Sequence, residues 1–138
     1  MKMSSIEYKA GYKYQLVKDC VGQLPFTIPK RIDFLFFQIE ENGQFIIFKG
    51  YAWDGPSGPT CDTKNFIRGS LIHDVLYQAM RLGLLPPHYR LLADRVLKEV
   101  CLQDKMHRIK VEYVYNGVRL GAGYAANSKS EREVLVAP

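Results

Sequence analysis

Residues 54–62, with the sequence Asp-Gly-Pro-Ser-Gly-Pro-Thr-Cys-Asp, divide the chain into two parts with different hydrophobic periods. The two glycines and two prolines of this segment exclude a regular helix and a regular strand. Apolar residues before it alternate or form short runs, whereas apolar residues after it recur every three or four positions. The sequence therefore predicts an α+β fold in a single domain, 1–138. Its consecutive parts are a β part at 12–53, a Gly/Pro loop at 54–62, a helical part at 63–126 and a flexible tail at 127–138.

The β part is predicted to form a small N-terminal antiparallel sheet. Segments 12–21 and 26–29 have the composition of strands, and Pro29 suits a sheet edge or a strand end. Residues 32–53 contain two apolar runs that meet at Asn42-Gly43. Asn-Gly between two such runs is the strongest short signal for a β-hairpin, so we expect the chain to reverse there.

The helical part is predicted to contain three helices. The first helix begins at about Thr63 and ends near Gly83, which two prolines follow shortly. The second covers 88–106 and the third covers 110–126. Because the connection between the first two is short, we expect them to pack antiparallel.

Composition narrows the class of protein. A chain of 138 residues that is 47% hydrophobic can bury a core without disulfides. The three cysteines are widely spaced and include no C-x-x-C, which favours a reducing compartment over a disulfide framework. We expect neither a transmembrane segment nor a signal peptide, since the chain has no long apolar run and no apolar segment at its start. The net charge of +5 is scattered, and no specific nucleic-acid motif is present.

The residues best suited to catalysis lie on the first two predicted helices. His73 and Tyr77 are four residues apart and share one helix face, and Asp94 lies among apolar residues of the second helix. An Asp in such a position needs partners, so we expect it to accept hydrogen bonds from His73 Nδ1–H and the Tyr77 hydroxyl. The other ring nitrogen of His73 would then be free to act as a general base toward water.

Asp74 is the candidate metal ligand. Its side chain points about 100° away from that of His73, toward the Gly/Pro loop. One carboxylate and several main-chain carbonyls make an oxygen-rich environment that suits Ca²⁺, and such an ion could polarise an ester carbonyl. The alternative is that Asp74 clamps the 54–60 turn by accepting its N–H groups.

Three motifs together resemble the secreted phospholipase A2 group, including the shorter version carried in parvovirus capsids. These motifs are the Gly-Pro-Thr of the loop, His73-Asp74-x-x-Tyr77, and Ala93-Asp94. The resemblance implies that His73 is the base, that Tyr77 and Asp94 support it, and that Asp74 binds calcium. It also implies that the backbone around Trp53, Gly55 and Gly58 supplies the remaining calcium ligands.

A longer resemblance, over residues 26–123, is to a phage and prophage family of unknown function. That family is similar in a GFxTDxASxP-like loop, an HDxLY helix, an AD helix and a final VR-x-x-G. The matching residues here are 28–29, 50–57, Pro59, 73–77, Arg90, 93–94 and 118–121. This resemblance implies a phage protein, located in the virion or the host cytoplasm, and adds Asp54 as a second possible metal ligand.

Two functions have support in particular residues, whereas a third, a small host-takeover factor that binds a bacterial protein or nucleic acid, rests on size and charge alone. The first is a calcium-dependent lipid or ester hydrolase that acts on membrane lipid as the phage enters or leaves the cell, with a substrate groove lined by Phe66 and Met80. The second is a virion structural or assembly protein of the tail, neck or capsid, which contacts other virion proteins. In that case the His-Asp-Tyr-Asp network only locks the core.

Overall fold

The computed structural model describes residues 1–9, 14–55 and 64–121. Strands come first along the chain and helices follow, which confirms the predicted α+β class. The strands within these ranges are β1 Lys2–Met3, β2 Tyr8–Lys9, β3 Tyr14–Leu16, β4 Cys20–Gln23, β5 Ile32–Phe34, β6 Phe37–Ile39, β7 Gln44–Ile47 and β8 Ala52–Trp53. The helices are α1 Lys64–Arg81, α2 Arg90–Gln103 and α3 Arg108–Gly121, with a 3₁₀ turn at Pro87–Tyr89 ahead of α2.

The strands form two antiparallel sheets. One has the order β1-β4-β7-β6-β5 and the other has the order β2-β3-β8. The predicted reversal at Asn42-Gly43 is confirmed, since it joins β6 to β7. Gly43 has a φ of +91°, and the Asn42 side chain accepts a hydrogen bond from the Gln44 N–H at 2.9 Å. This left-handed conformation explains why glycine is needed at that turn.

Two of the predicted strands are wrong. Segment 12–21 is not one strand: β3 and β4 belong to different sheets, and the chain bends at 17–19, where Asp19 accepts a hydrogen bond from the Lys49 N–H at 2.7 Å. Residues 12 and 13 lie outside the described residues. Segment 26–29 forms no strand, because Pro29 has no N–H and Ile28 alone donates to Glu41, at 2.9 Å.

The second apolar run of the β part also crosses between the sheets. After β7 the chain turns at Gly50, which has a φ of +97°, and β8 then pairs with β3. A further turn at Leu35 and Phe36 separates β5 from β6 within the first run. The hydrophobic pattern gave no signal for either event, because it reports burial and not the pairing partner.

The first two helices pack antiparallel, as predicted. Arg68, early in α1, pairs with Asp104 just after α2 at 2.9 Å, whereas His73 and Tyr77, later in α1, meet Asp94 near the start of α2. Gly69 allows α1 to approach α2 closely, because a Cβ at this position would lie 3.0 Å from both Cys101 Sγ and a methyl carbon of Leu97. Helix α1 ends as expected: Gly83 has a φ of +74° and donates to the Met80 carbonyl at 3.0 Å.

Helix α2 is shorter than the predicted 88–106 at both ends. It begins only after the 3₁₀ turn and ends at Gln103, because Lys105 takes a left-handed φ of 68°. The N–H of Met106 then returns to the Cys101 carbonyl at 3.0 Å, which closes the helix. Helix α3 begins two residues before the predicted start, and the predicted 122–126 and the tail 127–138 lie outside the described residues.

The buried apolar residues form two clusters. The main core lies between the sheets and helices α1 and α2. A smaller cluster, which we call the α3 cluster, consists of Phe66, Leu97, Cys101, Met106, Val111 and Val114. Only Val111 and Val114 of α3 itself are buried, so this helix is attached to the body of the protein by few apolar contacts.

Candidate functional site

His73, Tyr77 and Asp94 form one hydrogen-bonded set. Helix α1 presents His73 and Tyr77 on successive turns of the face that packs on α2. His73 Nε2 lies 2.7 Å from Asp94 Oδ1, and the Tyr77 hydroxyl donates to the same oxygen at 2.6 Å. The rings of His73 and Tyr77 are in contact, with centroids 4.1 Å apart. The three side chains that the sequence singled out as catalytic are therefore brought together.

The ring nitrogen that faces Asp94 is not the expected one. Nε2, which is farther than Nδ1 from the α1 backbone, spans the gap between the helices, and so Nε2 reaches Asp94. A carboxylate only accepts hydrogen bonds, so Nε2 donates and the neutral ring keeps its lone pair on Nδ1. Among the described residues, none makes a hydrogen bond to Nδ1, and His73 as a whole is 7% exposed. Nδ1 is thus the basic nitrogen of this ring.

Asp94 is fully buried, and its second oxygen is also occupied. Arg119 of α3 donates from Nη1 to Oδ2 at 2.7 Å, and Arg90 Nε lies 3.8 Å from the same oxygen. Burial by itself opposes ionisation of Asp94. Hydrogen bonds from His73, Tyr77 and Arg119 outweigh it and hold the pKa of the carboxyl below its usual value. Asp94 is therefore a buried anion that three helices share.

Sequence reasoning gave neither arginine a role at Asp94, although Arg90 and Arg119 are both among the residues that match the phage family. Arg90 precedes Asp94 by four residues on α2, a spacing typical of ion pairs on a helix, and this signal was available. Arg119 carried no comparable signal, because it comes from a different helix and lies 25 residues away along the chain. It had been noted only as part of the final VR-x-x-G.

Tyr77 is a hydrogen-bond donor and not a base. Burial is the largest cause that raises the pKa of its phenol, and the hydrogen bond to Asp94 raises it further. The nearby Arg90 opposes these effects but does not cancel them. The hydroxyl consequently stays protonated at neutral pH, and it holds Asp94 Oδ1 on the side of His73.

Asp74 and Asp54 form an acidic pair on the other side of α1. The end of β8 lies along this helix because Trp53 Nε1 donates to Ser70 Oγ at 3.0 Å and the nearby Tyr51 hydroxyl donates to Gln78 at 2.9 Å. Burial raises the pKa of Asp74 to about 7, with Arg81 acting against the shift and the charge of Asp54 adding to it. The two carboxyl groups are therefore close enough for their charges to repel.

The acidic pair fits a cation, although it does not complete a site by itself. A buried carboxyl whose ionisation is opposed by a second carboxylate is stabilised by a nearby positive ion. Among the described residues there is no group of three or more His, Cys, Asp or Glu side chains that could hold a metal. Main-chain carbonyls are further ligands of the kind that a hard cation such as Ca²⁺ accepts.

The remaining predicted calcium ligands are the backbone groups around Trp53, Gly55 and Gly58, and the structure describes only the first two of these residues. The Trp53 side chain is buried and bonded to Ser70, so only its carbonyl could serve. Gly55 directly follows Asp54 and has a φ of +78°, and a Cβ there would collide with the Tyr14 ring. Gly58 lies outside the described residues.

The predicted substrate groove is wrong in its lining. Phe66 belongs to the α3 cluster and Met80 to the main core, because both are needed to fill the space around α1. One open groove formed by the described residues, of about 1010 Å³, runs along β1 and β4. Its lining residues, 1–4, 21–25, 44 and 45, do not include His73.

Comparison with known proteins leaves the resemblances as predictions. No family model, curated protein or solved structure matches the chain. No helix within the described ranges has both the length and the apolar character that crossing a membrane requires.

Proposed function

We propose that the protein is a phage hydrolase of lipid or other carboxylic esters, with His73 as its general base and calcium as its cofactor. One observation carries this proposal: Asp94 Oδ1 binds His73 Nε2 at 2.7 Å, so the basic lone pair resides on Nδ1. An imidazole oriented by a buried carboxylate is a common device for activating water. The substrate class comes from the resemblance to phospholipase A2.

In the proposed reaction, His73 Nδ1 takes a proton from a water molecule as the oxygen of that water forms a bond to the ester carbonyl carbon. Asp94 stabilises the imidazolium that forms, and Tyr77 and Arg119 keep Asp94 ionised. As the bond from carbon to the alcohol oxygen breaks, the imidazolium gives its proton to that oxygen. The products are an acid and an alcohol, and the base is regenerated.

Calcium would be held by Asp74 and Asp54, together with main-chain carbonyls around Trp53, Gly55 and Gly58. A bound calcium ion would supply Lewis-acid stabilisation of the negative charge that develops on the carbonyl oxygen. The raised pKa of Asp74 supports this assignment, because a cation would offset both causes of the shift, burial and the charge of Asp54. Asp74 follows His73 directly in the chain but points to a different face of α1, so the base and the ion would occupy two adjoining sites.

The test is hydrolysis of a phospholipid with a fluorescent acyl chain, measured in calcium and in chelator. We expect release of the acyl chain in calcium only, and its loss in His73→Gln. His88→Gln is the matched control, since His88 is exposed and its described ring contact is with Tyr89 and not with Asp94. No hydrolysis by the folded wild-type protein under either condition would overturn the proposal.

A second candidate is a virion structural or assembly protein that contacts other virion proteins. It is favoured by the burial of Asp94 and by the low exposure of His73, since such a network also stabilises a protein that does no chemistry. Mass spectrometry of purified particles would then find the protein at a fixed stoichiometric copy number. Particles with His73→Gln that assemble but do not deliver their genome would instead support a hydrolase.

A further inference from the structure

Three helices meet at the carboxylate of Asp94. Helix α1 supplies His73 and Tyr77 to Oδ1, and α3 supplies Arg119 to Oδ2. The sequence predicted only that α1 and α2 meet at Asp94, and it did not predict the contact from α3. The carboxylate therefore connects α3 to the imidazole of His73, whose described hydrogen bond and ring contact are made with α2 and α1.

Arg119 is held at both its main chain and its side chain. Its carbonyl accepts a hydrogen bond from Arg90 Nη2 at 2.5 Å, and its guanidinium donates to Asp94 at 2.7 Å. The apolar attachment of α3 ends at Val114 and the partly buried Val118. These two polar contacts consequently hold the last described turn of α3 against α2.

Arg90 does not duplicate the contact that Arg119 makes. Arg90 Nε is 3.8 Å from Asp94 Oδ2, and it is the one buried side-chain N or O atom in the described ranges that lacks a hydrogen-bond partner. Arg119 is thus the only one of the two arginines that donates a hydrogen bond to Asp94 among the described contacts. A charge-assisted hydrogen bond of this kind is strong, and it also restricts the orientation of the carboxylate.

We propose that Arg119 is a positioning residue for His73, an inference that rests on the proposed function. By occupying Oδ2, Arg119 fixes the rotation of the carboxylate and reserves Oδ1 for His73 and Tyr77. The imidazole then keeps its Nε2–H on Asp94 and its Nδ1 turned away from it. Docking of α3 is in this way part of the active arrangement.

The test follows the ring N–H proton of His73 by NMR. The other two histidines, His88 and His107, are exposed, so a slowly exchanging ring N–H belongs to His73 and disappears in His73→Gln. We expect the signal in wild type and in Arg119→Lys. In Arg119→Gln the ring proton should exchange about tenfold faster, because the carboxylate is no longer fixed.

Two controls separate positioning from loss of stability. Arg108→Gln removes a cation from the first turn of α3, and Val114→Ala weakens the α3 cluster, but neither residue is among the described hydrogen-bond or ion-pair partners of Asp94. Both variants should keep the wild-type exchange rate, even where Val114→Ala lowers the melting temperature. A folded Arg119→Gln with wild-type exchange, or a Val114→Ala with equally fast exchange, would overturn the proposal.

Arg90→Gln carries the test if Arg119→Gln does not fold. It removes the hydrogen bond to the Arg119 carbonyl but keeps the bond from the Arg119 guanidinium to Oδ2. We therefore expect the slow ring proton to remain, and its loss would contradict a specific role for the Arg119 guanidinium. The NMR result stands whether or not any ester is hydrolysed, which keeps the failure of the hydrolase proposal distinguishable. Where hydrolysis is measured, Arg119→Gln should lower kcat about tenfold and leave KM within about twofold.

Discussion

Asp94 is the residue on which the candidate site depends. It is fully buried, and its two oxygens accept hydrogen bonds from His73, Tyr77 and Arg119. A buried carboxylate of this kind is stabilised only as long as its partners are present, and the partners depend on it equally. The spacing of His73 and Tyr77, and the apolar neighbours of Asp94, were enough to predict the first two contacts. The contact with Arg119 was not predictable, because it depends on how α3 docks.

Replacement of Asp94 by Asn should be strongly destabilising. The amide is neutral, so it cannot compensate the positive charges of Arg119 and Arg90. Its NH₂ group would also face a hydrogen-bond donor on one side of the site. We expect a loss of about 3 kcal/mol in the free energy of unfolding, measured by urea denaturation. Asp33→Asn is the matched control: Asp33 is exposed and should cost less than about 1 kcal/mol. Equal effects of the two substitutions would contradict the network described for Asp94.

The Asp74 carboxyl should make stability depend on pH. Its pKa is raised from 3.8 to about 7 in the folded protein, so between these values the folded chain holds a proton that the unfolded chain has released. The free energy of unfolding contributed by this group therefore falls as the pH rises through this range. In Asp74→Asn this fall should be absent, as measured by denaturation at a series of pH values without calcium. An unchanged slope in Asp74→Asn would show that Asp74 is not the group responsible.

At the level of elements, local signals predicted one hairpin turn and the end of α1 correctly, but they misplaced both ends of α2 and did not predict the strand partners. The Asn42-Gly43 reversal and the end of α1 near Gly83 were both confirmed, because each depends on a left-handed residue at a fixed place. The division of the strands into two sheets was missed. Alternation of apolar residues reports which face is buried, but β3 and β4 differ in their neighbours, which are distant in sequence.

Two glycines should respond to alanine in opposite directions. At Gly43 the φ of +91° is strained for alanine, and a Cβ would lie 2.5 Å from the Phe26 carbonyl oxygen, so Gly43→Ala should lose about 2 kcal/mol or more of stability. At Gly117, in α3, a Cβ would meet nothing within 4 Å. Gly117→Ala should therefore gain up to about 1 kcal/mol from helix propensity. Thermal unfolding of both variants measures the two effects, and the same sign for both would contradict the backbone described here.

For the whole molecule, the division at the Gly/Pro segment correctly predicted a β half followed by a helical half. The two halves meet at α1, which carries His73 toward α2 on one face and Asp74 toward the end of β8 on another. Sequence periodicity predicted this separation because it follows from the geometry of one helix. The burial of Phe66 in the α3 cluster and of Met80 in the main core was not predictable, because periodicity does not distinguish the lining of a groove from a packed interior.

The tautomer of the His73 ring reports whether α1, α2 and α3 are docked as described. The proposed chemistry depends on this tautomer. The direct measurement is a long-range ¹H–¹⁵N NMR spectrum of the folded protein, taken at a pH where the ring is neutral. The account predicts the Nε2–H tautomer, with Nδ1 unprotonated, since Nε2 donates to Asp94 at 2.7 Å. A ring found as Nδ1–H, or as a fast mixture of both tautomers, would contradict it.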